Sequence, residues 1–335
     1  MTAHASGAAP RHELIIQPDD GVAAVLALID SAKKSLRLKQ FTLTQHDILL
    51  AVEHAHKRDL HVRVMLNQHH AAGRRVNDET FDKLRHAGVK VEWANPEFAL
   101  THEKSVLVDG EVALIATFNM ANKYFGETRD YGIVTRDPEQ VAEIERCFDA
   151  DWKREAFHPN GKSGLTWSAC NSRPTMAELI DSARHSLDVQ HPKFVDATIL
   201  DRIAEAQHRG VRVRLLSGGK HGISGADAPD TFSSLRILRR SGVQVNRQKH
   251  LKLHAKMIVA DDRRALVGSM NIDHRSFDVR RELGIVLDDK QIVERLSAVF
   301  EADWSKAEPY QPPDPLDVAA HGHGELPDDP DFAHE

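Results

Sequence analysis

Polar and apolar positions along this chain keep switching between two periods. Apolar side chains recur at helical spacing over about residues 19–33, and Leu36-Arg-Leu-Lys-Gln-Phe-Thr-Leu43 then alternates as a strand does. A helical stretch near 46–57 leads into Leu60-His-Val-Arg-Val-Met-Leu66, and another at about 78–87 precedes Gly88-Val-Lys-Val-Glu92. Val211-Arg-Val-Arg-Leu-Leu216 and Gly242-Val-Gln-Val245 repeat these strand signals later in the chain. Strands alternating with helices predict a mostly mixed β-sheet flanked by helices on both faces, an α/β fold.

The pattern also occurs twice. Leu28-Ile-Asp-Ser-Ala-Lys-Lys-Ser-Leu36 is echoed by Leu179-Ile-Asp-Ser-Ala-Arg-His-Ser-Leu187, 151 residues on. A constant offset of 152 relates His102 to His254, Lys104 to Lys256, Asp109 to Asp261, Asn119 to Asn271, Gly132 to Gly284 and Trp152 to Trp304. The chain is therefore expected to be a duplication of one domain. The halves meet in the Gly/Pro/Ser stretch Phe157–Gly164, which predicts domains at 1–158 and 159–305. From Lys306 the chain holds six of its fourteen prolines and little apolar material, so 306–335 is expected to be a disordered acidic tail.

Composition narrows the class. The longest apolar stretch, Gly21 to Ile29, is far short of the roughly 20 residues that span a bilayer. The first ten residues show no basic cluster and no apolar core of a signal peptide, and two cysteines exclude a disulfide scaffold and a Cys-rich zinc site. A cytoplasmic protein is the expectation. The net charge of -6 argues against a polyanionic partner only until it is divided. Ala307 to Glu335 carries eight acids and no lysine or arginine, which leaves 44 basic against 42 acidic residues elsewhere, a net +2. A nucleic-acid partner is thus not excluded by charge.

The chemistry lies in a constellation that each half carries once. Thr101-His-Glu-Lys-Ser-Val-Leu-Val-Asp109 is followed by Ala116-Thr-Phe-Asn119, and Leu253-His-Ala-Lys-Met-Ile-Val-Ala-Asp261 by Gly268-Ser-Met-Asn271. On a strand, residues two apart share a face, so each His is expected beside its Lys. Asp109-Gly110 and Asp261-Asp262 predict turns, with Val112–Ile115 and Ala265–Val267 returning as a neighbouring strand. Thr117/Asn119 and Ser269/Asn271 then stand at its end, where small polar groups can donate to an anion.

If the halves face each other, one site gathers His102, His254, Lys104, Lys256, Asn119 and Asn271. That set suits phosphodiester chemistry. Lysine and asparagine bind the non-bridging oxygens, one neutral imidazole attacks phosphorus, and the other gives a proton to the leaving oxygen. The lysines supply the positive charge, so neither metal nor other cofactor is required.

The duplicated motif resembles that of the phospholipase D superfamily, the two-motif His-Lys-Asp phosphodiesterases, over nearly the whole chain except the tail. The resemblance implies two phospholipase D-like domains around a pseudo-twofold interface and a metal-independent phosphodiesterase or phosphatidyl transferase. It assigns the nucleophile to His102 and the general acid and base to His254. Asp130 and Glu282, each 11 residues beyond its motif Asn, are implied to orient the histidines, and Asp109 and Asp261 to serve as turn and scaffold. Ala116-Thr117 departs from the Gly-Gly or Gly-Ser that the family prefers, narrowing the approach of backbone to phosphate.

Basic, histidine and tryptophan side chains outside the motifs add to the picture. Arg74, Lys193 and Lys220 lie in segments expected to face the site and are candidate phosphate binders, as are Thr117 and Ser269; Arg247, Lys249 and Lys252 run into the second motif. His54, His56, His61, His69 and His70 show no metal-ligand spacing, and Trp152 and Trp304 end matching helices as packing residues. Gly268-Ser-Met-Asn-Ile-Asp-His-Arg-Ser-Phe277 is similar to the segment of cardiolipin synthases and bacterial phospholipases D after their second motif. The expected partner is therefore a phospholipid, with peripheral membrane contact, no membrane span, and a monomer sufficient for a complete site. The alternatives are a nuclease with the same residues, favoured by polar loops at 67–80 and 218–230, and a catalytically silent phosphate-binding module.

Overall fold

The computed structural model describes residues 9–70, 73–220, 223 and 225–320. The first half runs β1 (His12–Gln17), α1 (Ala23–Asp30), β2 (Ser35–Gln40), α2 (His46–Lys57), β3 (His61–Leu66), α3 (Asp78–His86), β4 (Lys90–Trp93), β5 (Leu100–Thr101), β6 (Lys104–Val108), β7 (Val112–Ala116), β8 (Thr128–Thr135) and α4 (Pro138–Lys153). The second runs β9 (Leu165–Ser168), α5 (Ser172–Ser182), β10 (Ser186–Gln190), α6 (Ala197–His208), β11 (Arg212–Ser217), α7 (Ala228–Arg240), β12 (Gln244–Arg247), β13 (Lys252–Leu253), β14 (Met257–Ala260), β15 (Arg264–Gly268), α8 (His274–Asp278), β16 (Arg280–Leu287) and α9 (Lys290–Lys306).

Each half folds into a mixed sheet. In the first, the order is β1-β8-β7-β6-β2-β3-β4, with β2, β3 and β4 parallel and the remaining pairs antiparallel. The second repeats this as β9 and β16 at one side, then β15, β14, β10, β11 and β12. Buried apolar faces explain the layering. Val25, Ile29, Ile48 and Val52 of α1 and α2 pack on the outer face of the first sheet, and Met176, Ile180, Ile199 and Ile203 of α5 and α6 do so on the second. A third core lies between the sheets, where Ile144 and Phe148 of α4 join Leu296 and Phe300 of α9. Trp152 and Trp304 stack on Phe148 and Phe300 at centroid distances of 5.7 and 5.8 Å, a packing role.

The two sheets exchange strands. β5 leaves the first half to pair with β16, Leu100 opposite Arg280 and Thr101 opposite Arg281. In mirror fashion β13 leaves the second half to pair with β8, Lys252 opposite Thr128 and Leu253 opposite Arg129.

Two expectations need correction. The strand from Leu36 stops at Gln40 rather than Leu43, because the backbone turns there and Leu43 bridges to Met120. The segment after Lys306 is ordered through the described residues: β17 (Glu308–Pro309) pairs with β12, Tyr310 is buried in the core of the second half, and Arg236 Nη2 holds Asp314 at 3.0 Å. α10 (Pro315–Ala320) follows. Low local hydropathy hides one aromatic anchor and one ion pair. The acidic stretch beyond Ala320, with His321 and His323, lies outside the described residues. Among the described residues no helix is long and apolar enough to cross a membrane.

The motif aspartates are scaffold by geometry. Asp109 sits at φ 57° and its carboxylate accepts the backbone N–H groups of Lys33, Lys34 and Ser35 at 2.9, 2.7 and 2.7 Å. Asp261, at φ 55°, does the same for Arg184, His185 and Ser186. Burial would raise both carboxyl groups, but these donors outweigh it and hold them below the ordinary range. Asp109→Ala and Asp261→Ala should each lower unfolding free energy in urea by about 1–3 kcal/mol, the cost of orphaned donors. Turnover per folded molecule should stay within a few-fold. A hundredfold loss in the folded variant would make either aspartate catalytic.

Candidate active site

The exchange of strands builds the site. The backbone N–H groups of His102 and Glu103 both donate to the Arg281 carbonyl, at 2.9 and 3.0 Å, so two residues oppose one. His254 and Ala255 share the Arg129 carbonyl in the same way, at 3.3 and 2.8 Å. Such a bulge interrupts the ladder and re-aims a side chain. The uninterrupted strand expected through His102 and Lys104 is therefore broken at the histidine: β5 ends before it and β6 begins after it. His and Lys still meet, since Lys104 Nζ donates to the His102 carbonyl at 2.8 Å and Lys256 Nζ to that of His254 at 2.7 Å.

Each histidine is oriented by the acid of the other half. His102 Nδ1 lies 2.9 Å from Glu282 Oε2, and His254 Nδ1 lies 2.7 Å from Asp130 Oδ1. All four side chains are fully buried. Lys256 Nζ also reaches His254 Nε2 at 2.8 Å. With the ammonium donating, the His254 proton sits at Nδ1 against Asp130.

The two acids are held differently. Asp130 accepts Thr117 Oγ1 and Thr128 Oγ1, each at 2.6 Å, in addition to His254. Glu282 has the hydroxyls of Ser269 and Ser276 close by and Arg280 Nη1 at 4.0 Å from its second oxygen. Burial pushes the Glu282 carboxyl up to about 7, against the pull of Lys104 and Arg280.

The predicted anion donors prove mixed. Thr117 is spent on Asp130 and on the Tyr131 N–H, and Ser269 is hydrogen-bonded to the backbone of Leu283, so both support the acids' strands rather than facing a ligand. Lys193 is buried between Asp227 at 2.8 Å and Asp273 at 3.0 Å, a closed ion pair. Arg74 lines a cavity beside the histidines. Lys220 is exposed in the loop after β11, and its neighbour His221 lies outside the described residues. Lys249 and Lys252 pair with Glu308 and Glu127. Asn119 and Asn271 are buried at the strand ends, and Asn271 Oδ1 has no partner among the described residues.

Other residues around the histidines escaped the sequence. Arg129 is clamped on Asp303 of α9 at 2.8 Å, and Arg281 on Asp151 of α4 at 3.0 Å, each across the seam and each one residue before an orienting acid. Their 152-residue spacing was the available signal. Phe41 stands edge-on to His102 at 4.6 Å and Tyr124 lies 4.8 Å from His254. Glu103, Cys147 and Asp151 converge as metal ligands do, but Lys39 Nζ occupies their centre at 2.9, 3.4 and 2.8 Å.

Residues 25–152 and 176–304 each match the family described as cardiolipin synthase, PLD-like domain. The chain belongs to that family, a branch of the phospholipase D superfamily. A cardiolipin synthase of Staphylococcus aureus is 29% identical over 234 residues, covering 60% of this chain and 46% of that protein. The major cardiolipin synthase ClsA of Bacillus subtilis is 26% identical over 292 residues, covering 74% of this chain and 58% of its own length. The chain thus spans about half the length of these curated relatives. Among solved structures, the phosphatidylserine synthase of Haemophilus influenzae superposes with a TM-score of 0.70 at 14% identity, covering 90% of this chain and 88% of that one, a shared fold.

The Glu282 carboxyl sets a pH expectation for this phospholipase D-like site. As pH falls through about 7 Glu282 takes up a proton, and His102 loses the carboxylate that accepts its Nδ1–H. The rate kcat/KM should therefore fall on the acid side of about 7, and the residual activity of Glu282→Gln should lack that limb. A wild-type limb in the ordinary carboxylate range, near 4–5, would contradict the assignment.

Proposed function

We propose that this protein is a metal-independent phosphatidyl transferase of the phospholipase D type, acting on a phospholipid through a covalent phosphohistidine. The observation that carries the reading is the crossed pairing of His102 with Glu282 and His254 with Asp130, each beside a lysine, at one buried seam. Family membership and the cardiolipin synthase relatives favour a phospholipid as substrate.

In the first step His102 Nε2 attacks phosphorus while the bond from phosphorus to the headgroup oxygen breaks. His254, protonated at that stage, gives its Nε2 proton to the departing alkoxide, which leaves as an alcohol. Lys104, Lys256 and the asparagines Asn119 and Asn271 bind the non-bridging oxygens, where a preformed positive environment stabilises the pentavalent state. In the second step neutral His254 takes the proton of an incoming alcohol or water. Its oxygen bonds to phosphorus, and the bond to His102 breaks, restoring the free imidazole. Glu282 and Asp130 hold the two rings and balance the charge that passes through them. A monomer suffices for this cycle, with peripheral contact to the cytoplasmic face of a membrane.

Protein assayed in chelator with phosphatidylglycerol vesicles should release glycerol and form a phosphatidyl-transfer product. Cleavage of single-stranded DNA with no phospholipid turnover would overturn the substrate class. His102→Asn and His254→Asn should each lower turnover by at least about a hundredfold, the low end of a general acid–base contribution. A phosphoenzyme should accumulate in His254→Asn and be absent from His102→Asn, and the reverse would exchange the two roles.

A further inference from the structure

The two halves differ beside the histidines. A cavity of about 390 Å³ opens in the first half, with Phe41 and Tyr124 in its wall, the rings that touch His102 and His254. At the corresponding place the described residues of the second half carry an ion pair instead. Thr42 corresponds to Lys193, and Ala121 to Asp273, at the 151- and 152-residue offsets of the repeat. The equivalent backbone bridges, Leu43 to Met120 and Phe194 to Ile272, fix that correspondence in space. Where the second half packs the Lys193–Asp273 ion pair at 3.0 Å, the first half has a hydroxyl and a methyl, and the difference leaves a pocket.

The pocket is built for an anion. Arg74 enters its wall with a buried Nε that has no hydrogen-bond partner and with no carboxylate within ion-pair distance among the described residues. The one lining carboxylate, Glu127, is paired with Lys252 at 3.0 Å. Thr42, Thr44 and Asn122 supply hydroxyl and amide groups in the same wall. Its volume lies at the small end of ligand sites, which run from about 300 to 1,000 Å³. That accommodates a polar headgroup and excludes a pair of acyl chains.

We propose that this pocket is a second, one-sided subsite that binds the phosphate ester of a small polyol, with Arg74 on the phosphate and the polyol hydroxyls turned toward the histidines. It deepens the proposed phosphatidyl transfer and rests on it for the lipid form of the occupant: the acceptor brings its own phosphate, and the first half seats it. The same chemistry is offered by a lipid headgroup and by a soluble glycerophosphate.

The test uses the full chain in two assays. In calorimetry with sn-glycerol 3-phosphate, wild type should bind. Arg74→Ala should bind about tenfold more weakly, as expected for losing a charge-assisted contact. Thr42→Lys combined with Ala121→Asp, which installs the ion pair of the second half, should abolish binding and gives a second route should Arg74→Ala disturb its loop. In the vesicle assay with phosphatidylglycerol, the ratio of transfer product to phosphatidic acid should fall about tenfold in both variants. No binding to wild type, or equal binding to wild type and variants, overturns the subsite whatever the lipid result. Weakened binding with an unchanged product ratio assigns the pocket to the soluble ester. The expected binding pattern with no phospholipid turnover by wild type overturns the proposed function and leaves the subsite standing.

Discussion

Strands β8 and β16 each begin by anchoring the opposite half of the molecule. Arg129 at the start of β8 grips both carboxylate oxygens of Asp303, at 2.8 and 3.2 Å, and its carbonyl receives the second motif. Arg281 in β16 donates through Nη2 to one oxygen of Asp151, at 3.0 Å, and its carbonyl receives the first motif. Removing one partner of such a buried pair costs about 3–5 kcal/mol, since the other charge is left uncompensated. The next residue in each strand is the acid that orients a histidine. Docking of the halves and alignment of the imidazoles are thus one event, and neither half carries a working pair alone.

The duplication is symmetric in backbone but not in chemistry. Behind His102 the protein buries Lys39 among Glu103, Cys147 and Asp151. Burial pulls Lys39 down, yet Asp151, Cys147 and Glu103 outweigh it and keep the amine charged. Behind His254 the matching positions are neutral Gln190 and Ala255, and Gln190 bridges Tyr131 and Asp303 at 2.6 and 2.8 Å. Asp130 is held by Thr117, Thr128 and His254 within 2.7 Å while burial lifts the Glu282 carboxyl, and an open cavity on one side faces a closed ion pair on the other. Two copies of one domain have therefore become a site with two distinguishable sides.

Much of this was legible in the chain. The 152-residue offset exposed the duplication, and the spacing of His102 and Lys104 placed the imidazole beside the ammonium, because both depend on local order along the chain. The crossing of the acids was not legible, since periodicity within one half says nothing about which half receives Asp130 or Glu282. Nor was the closure of Lys193, whose partners Asp227 and Asp273 lie 34 and 80 residues on. Thr117 looked like an anion donor because nothing local marks Asp130 as its acceptor. Tyr310 anchors an otherwise polar segment through one side chain, which a compositional average conceals.

The crossed pairing is tested most directly by ¹⁵N NMR of the histidine rings. In Glu282→Gln the His102 Nδ1 and Nε2 resonances, and their titration, should shift while those of His254 stay in place. Asp130→Asn should do the converse. If each substitution perturbed the histidine of its own half instead, the two halves would hold separate sites, and the shared catalytic seam would be wrong.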